Sequence, residues 1–186
     1  MIKENLTILI ILYEENLKVI EKCLDNIKKY KVIIIDNSND KKLKKKIIQN
    51  YKIYKYFLNK KNVGFSKAAN QGIFECDTEY VLLLGADCIM NYEDIEELMI
   101  AKKRYQNCFL TSPTFYNSHG EYDYNGGPSY EENLKMETLE NHGDVCVETV
   151  LTTSVLFKIK DIKEIGLFDE NFFLYFLDFD LCRRIR

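Results

Sequence analysis

The stretch that decides the fold is LTILIILY, at Leu6–Tyr13. It is continuously apolar and rich in isoleucine, a pattern that favours a strand buried on both faces of a parallel sheet. A periodic amphipathic helix over Asn16–Tyr30 follows it, and a second apolar strand, KVIIID, occupies Lys31–Asp36. The start of the chain therefore predicts strand–helix units of an α/β sheet.

Further strand–helix units follow along the chain. A short strand over Tyr54–Asn59 precedes the turn Asn62–Ser66, whose serine is expected to cap a helix over Lys67–Phe74. The apolar strand Tyr80–Leu84 precedes a helix over Tyr92–Tyr105. The repeated pattern predicts one α/β domain with a mostly parallel, doubly wound sheet flanked by helices.

The last third of the chain is less regular. Glycines and polar residues over Asn117–Tyr130 predict a loop, which is followed by a mixed strand at Val147–Phe157 and a helix at Lys160–Ile165. The segment Gly166–Arg184 interleaves carboxylates with aromatic residues. Carboxylates are costly to bury without partners, so this segment is either a network of ion pairs or a site with chemistry.

Composition and charge exclude several classes of function. The 186 residues are 46% hydrophobic, enough for one domain core, and the formal net charge of −3 gives no general attraction to nucleic acid. The longest apolar run is shorter than the roughly 20 residues of a membrane helix, so we expect no transmembrane segment. The six cysteines lack the spacing of a zinc site and indicate reduced thiols of a cytoplasmic protein.

Two acidic residues stand at the ends of predicted strands. Asp36 ends the second strand, and Asp87 follows the strand at Tyr80–Leu84. Because ligands of open α/β sheets bind outside the carboxyl ends of the strands, we expect both in one cleft. The plainer alternative is that they only cap the helices that follow. The chain contains neither GxGxxG nor GxxxxGK[ST], which argues against a dinucleotide site or a phosphate loop.

Four motifs, in this order, resemble those of family-2 glycosyltransferases of the GT-A fold, particularly the rhamnosyltransferase-like branch. They are IIIDNS at Ile33–Ser38, NVGFSKAANQGI at Asn62–Ile73, LLLGAD at Leu82–Asp87 and GLFDENFFLYFLDFDLCR at Gly166–Arg183. Each motif alone is weak, whereas four in the right order form a specific signal. The match spans nearly the whole chain.

The resemblance implies an inverting glycosyltransferase that moves a sugar from a nucleotide-diphosphate donor to a glycan or lipid-linked glycan acceptor. The positions it assigns to donor binding are Tyr13, Asp36, Asn62, Gly64, Lys67 and Asn70. Asp36 would bind the nucleotide base, and Asp87 would hold a divalent cation, Mg²⁺ or Mn²⁺, on the diphosphate. Asp178 would be the base that deprotonates the acceptor hydroxyl. The expected location is the cytoplasm, with contact at the inner face of the membrane left open.

Two positions depart from the family pattern. Gly85 stands where a complete metal motif has its first acid, and Leu177 replaces the glutamate before the base. These departures keep open a noncatalytic nucleotide-sugar-binding module of the same fold. A receiver-type signalling domain, with Glu14, Glu15 and Asp87 as its acids, is the remaining alternative. Because family members continue past the last motif, residues 1–186 are expected to be one catalytic domain lacking a C-terminal acceptor-side extension.

Overall fold

A computed structural model describes residues 5–124, 127 and 143–186. The strands are β1 (Leu6–Leu12), β2 (Lys31–Asp36), β3 (Lys55–Leu58), β4 (Tyr80–Leu84), β5 (Leu110–Thr111), β6 (Phe115–Tyr116), β7 (Tyr122–Tyr124) and β8 (Ser154–Lys158). The helices are α1 (Leu17–Ile27), α2 (Lys41–Asn50), α3 (Phe65–Glu75), α4 (Tyr92–Arg104), α5 (Ile159–Glu164) and α6 (Leu177–Ile185). Strands β6 and β7 pair as a separate antiparallel hairpin.

The main sheet has six strands in the order β3-β2-β1-β4-β8-β5. Strands β1 to β4 run parallel to one another, whereas β8 is antiparallel to both of its neighbours. The chain starts in the middle at β1, moves outward to β3, and then crosses to the other side at β4. The order therefore reverses between β1 and β4, the point at which such sheets bind ligands. The predicted mostly parallel, doubly wound sheet is confirmed.

Strand β1 contributes to a hydrophobic core on each face of the sheet. Leu6, Ile8, Ile10 and Leu12 pack with residues of α1, α2 and α4, whereas Leu9 packs with residues of α3, α5 and α6. Side chains alternate between the faces of a strand, so a strand covered on both faces needs an unbroken apolar sequence. This is why the opening stretch of the sequence is so informative about the fold.

The predicted start of the third helix is wrong. Helix α3 begins at Phe65, and its N-cap is Gly64, with φ of 88° and no side-chain cap. The hydroxyl of Ser66 does not cap the helix; it is buried and finds no hydrogen-bond partner within the described residues. The carboxamide of Asn62 accepts a hydrogen bond from the Gly64 N–H at 2.9 Å. A positive-φ glycine thus turns the chain into the helix, a conformation that side-chain capping rules do not predict.

The predicted strand Val147–Phe157 is wrong in its first half, because β8 begins only at Ser154. The N–H of Thr152 donates to the Asp178 carboxylate instead of a neighbouring strand. The predicted helix at Lys160–Ile165 is α5, shifted by one residue.

The two remaining expectations for the last third have different outcomes. The loop predicted over Asn117–Tyr130 contains β7, and its residues 125, 126 and 128–130 lie outside the described part of the chain. The acidic and aromatic segment ends in helix α6. Over the ranges that the structure describes, none of the helices combines the length and the apolar character that crossing a bilayer requires.

Candidate functional site

Three acidic side chains meet outside the carboxyl ends of β1, β2 and β4. Glu15 follows β1, Asp36 ends β2 and Asp87 follows β4. Burial raises the pKa of Glu15, and the charges of Asp36 and Asp87 add to this rise. Main-chain hydrogen bonds act in the opposite direction, but the pKa remains raised. Tyr13 is exposed, and its N–H donates to Glu15 Oε2 at 2.5 Å. The switch point of the sheet is therefore a concentration of negative charge.

Asp36 is completely buried, and its carboxylate is occupied by the protein itself. Oδ1 accepts the N–H of Ser38 at 2.7 Å and the Ser38 hydroxyl at 2.6 Å, and Oδ2 accepts the Tyr56 hydroxyl at 2.5 Å. The cap of α2 is Asp40, so the interpretation of Asp36 as a helix cap is wrong. The structure leaves no exposed carboxylate surface for direct contact with a base; Asp36 instead fixes the main chain around Ser38.

Asp87 is exposed, and it does not cap a helix either, because the N-cap of α4 is Asn91. A Cβ on Gly85 would lie 2.9 Å from Asp87 Oδ1 and 3.2 Å from the carbonyl oxygen of Thr153. The N–H of Gly85 donates to that carbonyl at 2.7 Å. Glycine at position 85 therefore makes the room that this turn needs.

The residues at this turn fit a hard cation that is held mainly by its substrate. Within the described residues, no group of three or more His, Cys, Asp and Glu side chains could hold a metal ion. Magnesium-type sites often use one or two carboxylates and take their other ligands from phosphate and water. The exposed carboxylate of Asp87 suits that arrangement, whereas a closed site made only of protein ligands is not formed by these residues.

The turn that begins at Asn62 contacts the acidic and aromatic segment. The N–H of Phe65 donates to the carbonyl of Phe173 at 2.6 Å, and the Asn37 carboxamide donates to the Gly64 carbonyl at 3.3 Å. A Cβ on Gly64 would lie 2.8 Å from the Phe173 ring and 2.9 Å from its carbonyl oxygen. Gly64 thus permits both the positive φ and the close approach of Phe173.

Two further residues of the same motif bind the same segment. The buried carboxamide of Asn70 donates to the Phe168 carbonyl at 2.8 Å and accepts the Phe168 N–H at 3.0 Å. Lys67 is exposed and lies 3.4 Å from the Glu170 carboxylate. Asn70 was expected to contact the donor, but here its carboxamide is used to hold Phe168. Of the two side chains, only that of Lys67 is open to a ligand.

Asp178 lies in the first turn of α6 and is partly buried. Its Oδ1 accepts the main-chain N–H of Thr152 at 2.9 Å and also the Thr152 hydroxyl. Among the described residues, none forms a hydrogen bond or ion pair with Oδ2. The neighbouring acid Asp180 is instead paired with Arg184, whose Nε and Nη2 atoms lie 2.9 and 2.7 Å from Asp180 Oδ2. Within the described residues, Asp178 is therefore held by neutral donors at one oxygen and accepts no hydrogen bond at the other.

Leu177 is buried in the core shared with α3 and α5, and therefore does not line the candidate site beside Asp178.

The sequence analysis did not single out Thr152 as a site residue, and it named Glu15 only as an acid of the receiver alternative. The signal for Thr152 was the run of hydroxyl residues Thr152 to Ser154 before a strand, which alternation rules assign to the strand itself.

The sequence model of glycosyl transferase family 2 matches residues 7–160 of the chain. This protein belongs to glycosyl transferase family 2. The match includes β1 to β4 and β8, and hence the switch point with Asp36 and Asp87. The receiver-type alternative is wrong: the family is different, and the sheet order runs β3-β2-β1-β4 with an antiparallel β8, not the 2-1-3-4-5 order of receivers.

Two curated relatives of this family-2 chain are glycosyltransferases by name. The low-salt glycan biosynthesis hexosyltransferase Agl10 of Haloferax volcanii is 26% identical over 196 residues, covering 98% of this chain and 62% of the relative. The rhamnosyltransferase WbbL of Escherichia coli K12 is 26% identical over 192 residues, covering 89% of this chain and 71% of the relative. The likeness to the rhamnosyltransferase branch is confirmed, and the chain spans well under the full length of both relatives.

Solved structures confirm the GT-A fold of this family-2 chain. A crystal structure of S. aureus TarS matches with a TM-score of 0.63 and 13% identity, covering 97% of this chain and 55% of that one. The mannosyltransferase PcManGT of Pyrobaculum calidifontis, solved with GDP-Man and Mn²⁺, matches with a TM-score of 0.61 and 13% identity, covering 90% and 48%. TarS was also solved with UDP-GlcNAc, and that structure has a TM-score of 0.58 and 14% identity, covering 89% and 48%.

Proposed function

We propose that this chain is the nucleotide-sugar-binding and catalytic core of an inverting glycosyltransferase. It would move a hexosyl or deoxyhexosyl group from a nucleotide-diphosphate donor to a hydroxyl of a glycan or lipid-linked glycan acceptor. The observation that carries this proposal is the arrangement around Asp178. Oδ2 of this carboxylate accepts no hydrogen bond from the part of the chain that the structure describes, and Thr152 and Thr153 connect Asp178 to the Asp87 turn at the switch point of the sheet.

The proposed donor lies across the carboxyl ends of β1, β2 and β4. Two structural neighbours bind sugar nucleotides, one UDP-GlcNAc and the other GDP-Man, which supports a donor of this class. Tyr13 and Lys67 offer exposed side chains to it, and Asn62 and Gly64 shape the turn beside it. Asp36 and Asn70 support this site from behind through Ser38 and Phe168. Support of this kind fixes a binding site in advance and lowers the entropy cost of binding.

Asp87 would hold the divalent cation, Mg²⁺ or Mn²⁺, against the donor diphosphate. Such a cation, when bound, stabilises the negative charge that develops on the leaving nucleoside diphosphate. The Mn²⁺ in the mannosyltransferase supports the assignment. Because position 85 is a glycine, the protein offers a single carboxylate there, and metal affinity should depend strongly on the bound donor.

Asp178 would act as the general base of a single displacement. Its open oxygen accepts the proton of the acceptor hydroxyl while the hydroxyl oxygen bonds to the anomeric carbon of the donor sugar. The bond between that carbon and the phosphate oxygen breaks, and its electron pair leaves with the nucleoside diphosphate. Attack on the face opposite the leaving group inverts the configuration.

The test begins with binding and continues to turnover. UDP, dTDP, GDP and CMP are added with and without Mn²⁺, and the melting temperature of the chain is followed. A nucleotide that binds only the folded state raises that temperature. The matching sugar nucleotide is then used to measure release of nucleoside diphosphate by wild type and by Asp178→Asn, which is expected to lower the rate by about 10²–10⁴-fold.

The control is Asp77→Asn. Asp77 is an exposed acid on the loop before β4, paired with Lys31 at 2.8 Å and Tyr54 at 2.9 Å, away from the carboxyl ends of the strands. The Asp77→Asn variant should leave the rate of nucleoside diphosphate release unchanged. Equal release by wild type and Asp178→Asn would contradict the assigned base, and the absence of a metal-dependent shift with every nucleotide would contradict the donor site.

The second candidate is a noncatalytic nucleotide-sugar-binding module, favoured by glycine at position 85 and by leucine in place of the motif's glutamate at position 177. It predicts the nucleotide shift without turnover, so the same experiment separates the two. Three further expectations stay predictions: the action in the cytoplasm at or near the inner face of the membrane, the role in surface-polysaccharide or other glycan assembly, and the extent of a single catalytic domain over residues 1–186.

A further inference from the structure

Thr152 is a buried threonine whose two hydrogen-bond donors serve the same acceptor atom. Its side chain lies in the turn just before β8, and the residue is 7% exposed. Both its main-chain N–H, at 2.9 Å, and its hydroxyl donate to Oδ1 of Asp178. Hydrogen bonds to a charged acceptor are stronger than those between neutral groups, and two of them at one atom fix its position.

The consequence for Asp178 is an asymmetric carboxylate. With Oδ1 anchored, rotation about the bond to Cγ is restricted, and Oδ2 is held in one direction. No hydrogen bond to Oδ2 comes from the described residues, so none of them competes with an acceptor hydroxyl for this oxygen. A general base must be within hydrogen-bond reach of the proton that it removes, and an error of about 1 Å can cost about 100-fold in rate.

The same turn also reaches the other half of the candidate site. The carbonyl of Thr153 accepts the N–H of Gly85 at 2.7 Å, two residues before Asp87. Two adjacent residues thus bind the turn that carries the candidate metal ligand and the helix that carries the candidate base. This two-residue link thereby connects the candidate metal turn to the candidate base.

We propose that Thr152 is a positioning residue, whose hydroxyl orients the Asp178 carboxylate for removal of the acceptor proton. The inference rests on the proposed function and deepens it. The main-chain N–H stays in every variant at position 152, so the hydroxyl is the part that substitution can test. Valine has nearly the shape of threonine without the hydroxyl, and serine keeps the hydroxyl without the methyl group.

The experiment compares Thr152→Val and Thr152→Ser with wild type, using UDP-GlcNAc and GDP-mannose as donors. The kcat and KM for release of nucleoside diphosphate are measured together with the melting temperature. Thr152→Val should lower kcat by about 10- to 100-fold, as expected for a displaced base, with little change in donor KM. Thr152→Ser should restore most of that kcat.

The matched control is Thr7→Val. Thr7 is a completely buried threonine near the amino end of β1, and its hydroxyl lies 2.8 Å from that of Thr78. Removing this hydroxyl also lowers stability through a lost buried hydrogen bond, but it should leave kcat unchanged. A loss of kcat that follows only the melting temperature in all variants would overturn the role of Thr152.

The remaining outcomes separate the inference from the function on which it rests. An active wild type with unchanged kcat in Thr152→Val overturns the positioning role alone. Equal losses in Thr152→Val and Thr152→Ser also overturn it, because the hydroxyl would then not be the important group. A wild type that releases no more nucleoside diphosphate than Asp178→Asn overturns the proposed function, and the role of Thr152 with it.

Discussion

Two aspartates of the site differ in how the protein uses their oxygens. Asp36, at the end of β2, has no exposed surface and accepts hydrogen bonds at both carboxylate oxygens, from Ser38 and Tyr56. Asp178, at the start of α6, is partly exposed and is held at one oxygen by Thr152. The first carboxylate is committed to the fold, whereas the second has one oxygen that accepts no hydrogen bond from the described residues, as the proposed general base requires. The sequence motifs mark both residues equally.

A motif residue can support a candidate binding site without facing it. Buried carboxylates require partners, and Asp36 obtains three hydrogen bonds by ordering the chain that follows β2. A residue of this kind affects binding through the shape of the site. A substitution should therefore lower stability at Asp36 and lower turnover at Asp178.

The largest loss of stability is expected for Leu177→Glu, which places at position 177 the glutamate of the resembled motif. Leu177 is 2% exposed and packs in the core beside Leu181 and Phe168. An uncompensated charge buried there should lower the free energy of unfolding by about 3–5 kcal/mol. Denaturation in urea measures the change.

The control for this variant is Leu174→Glu, at a leucine that is 48% exposed in the same segment. It should change the free energy of unfolding by about 0.5 kcal/mol or less, as surface substitutions usually do. If Leu177→Glu were as stable as Leu174→Glu, position 177 would face the solvent. The lost glutamate would then be a missing site residue rather than a core position.

A smaller loss is expected for Asp36→Ala, which tests the structural side of the comparison directly. The variant leaves the donors of Ser38 and Tyr56 without their partner, and because both residues are only partly buried the total loss should be about 1–3 kcal/mol. The control is Asp40→Ala: Asp40 also accepts the N–H two residues ahead, at 2.7 Å from Lys42, but it is exposed. Urea denaturation should show the larger loss for Asp36→Ala. Equal losses would mean that burial adds nothing to the role of Asp36.

The sheet could be predicted from the sequence because its signal is local. The unbroken apolar runs of β1, β2 and β4 lie at the centre of the sheet, and the acids at their ends lie at the switch point. Alternation and burial leave a pattern in neighbouring residues, so a strand of this type can be predicted from its own sequence.

The use of each polar side chain could not be predicted, because it depends on contacts between distant residues. Asn70 bonds to Phe168 across 98 positions, and Thr152 bonds to Asp178 across 26. Neither partner is visible from local pattern. Ser66 shows the same limit over a short distance, since Gly64 begins the helix through a positive φ and the serine is buried.

A loss of stability is also expected for Gly64→Ala, at the point where the two regions of the comparison meet. The Gly64 carbonyl accepts from Asn37, beside Asp36, and the next residue, Phe65, bonds to Phe173 of the segment that leads to Asp178. Alanine would need a positive φ, which costs about 1–3 kcal/mol at a constrained position. Its methyl group would also push against Phe173.

Gly120→Ala separates these two contributions, because Gly120 also has a positive φ, of 78°, but no atom of the described residues other than its chain neighbours lies within 4 Å of an added Cβ. Both variants should lose stability through strain, but only Gly64→Ala should speed hydrogen exchange at the Phe65 N–H, whose acceptor is Phe173. Equal exchange in the two variants would mean that the turn and the segment are not coupled through this contact. If Gly64→Ala shows both faster exchange and a smaller nucleotide-induced rise in melting temperature, the proposed donor site depends on the acidic and aromatic segment that leads to Asp178.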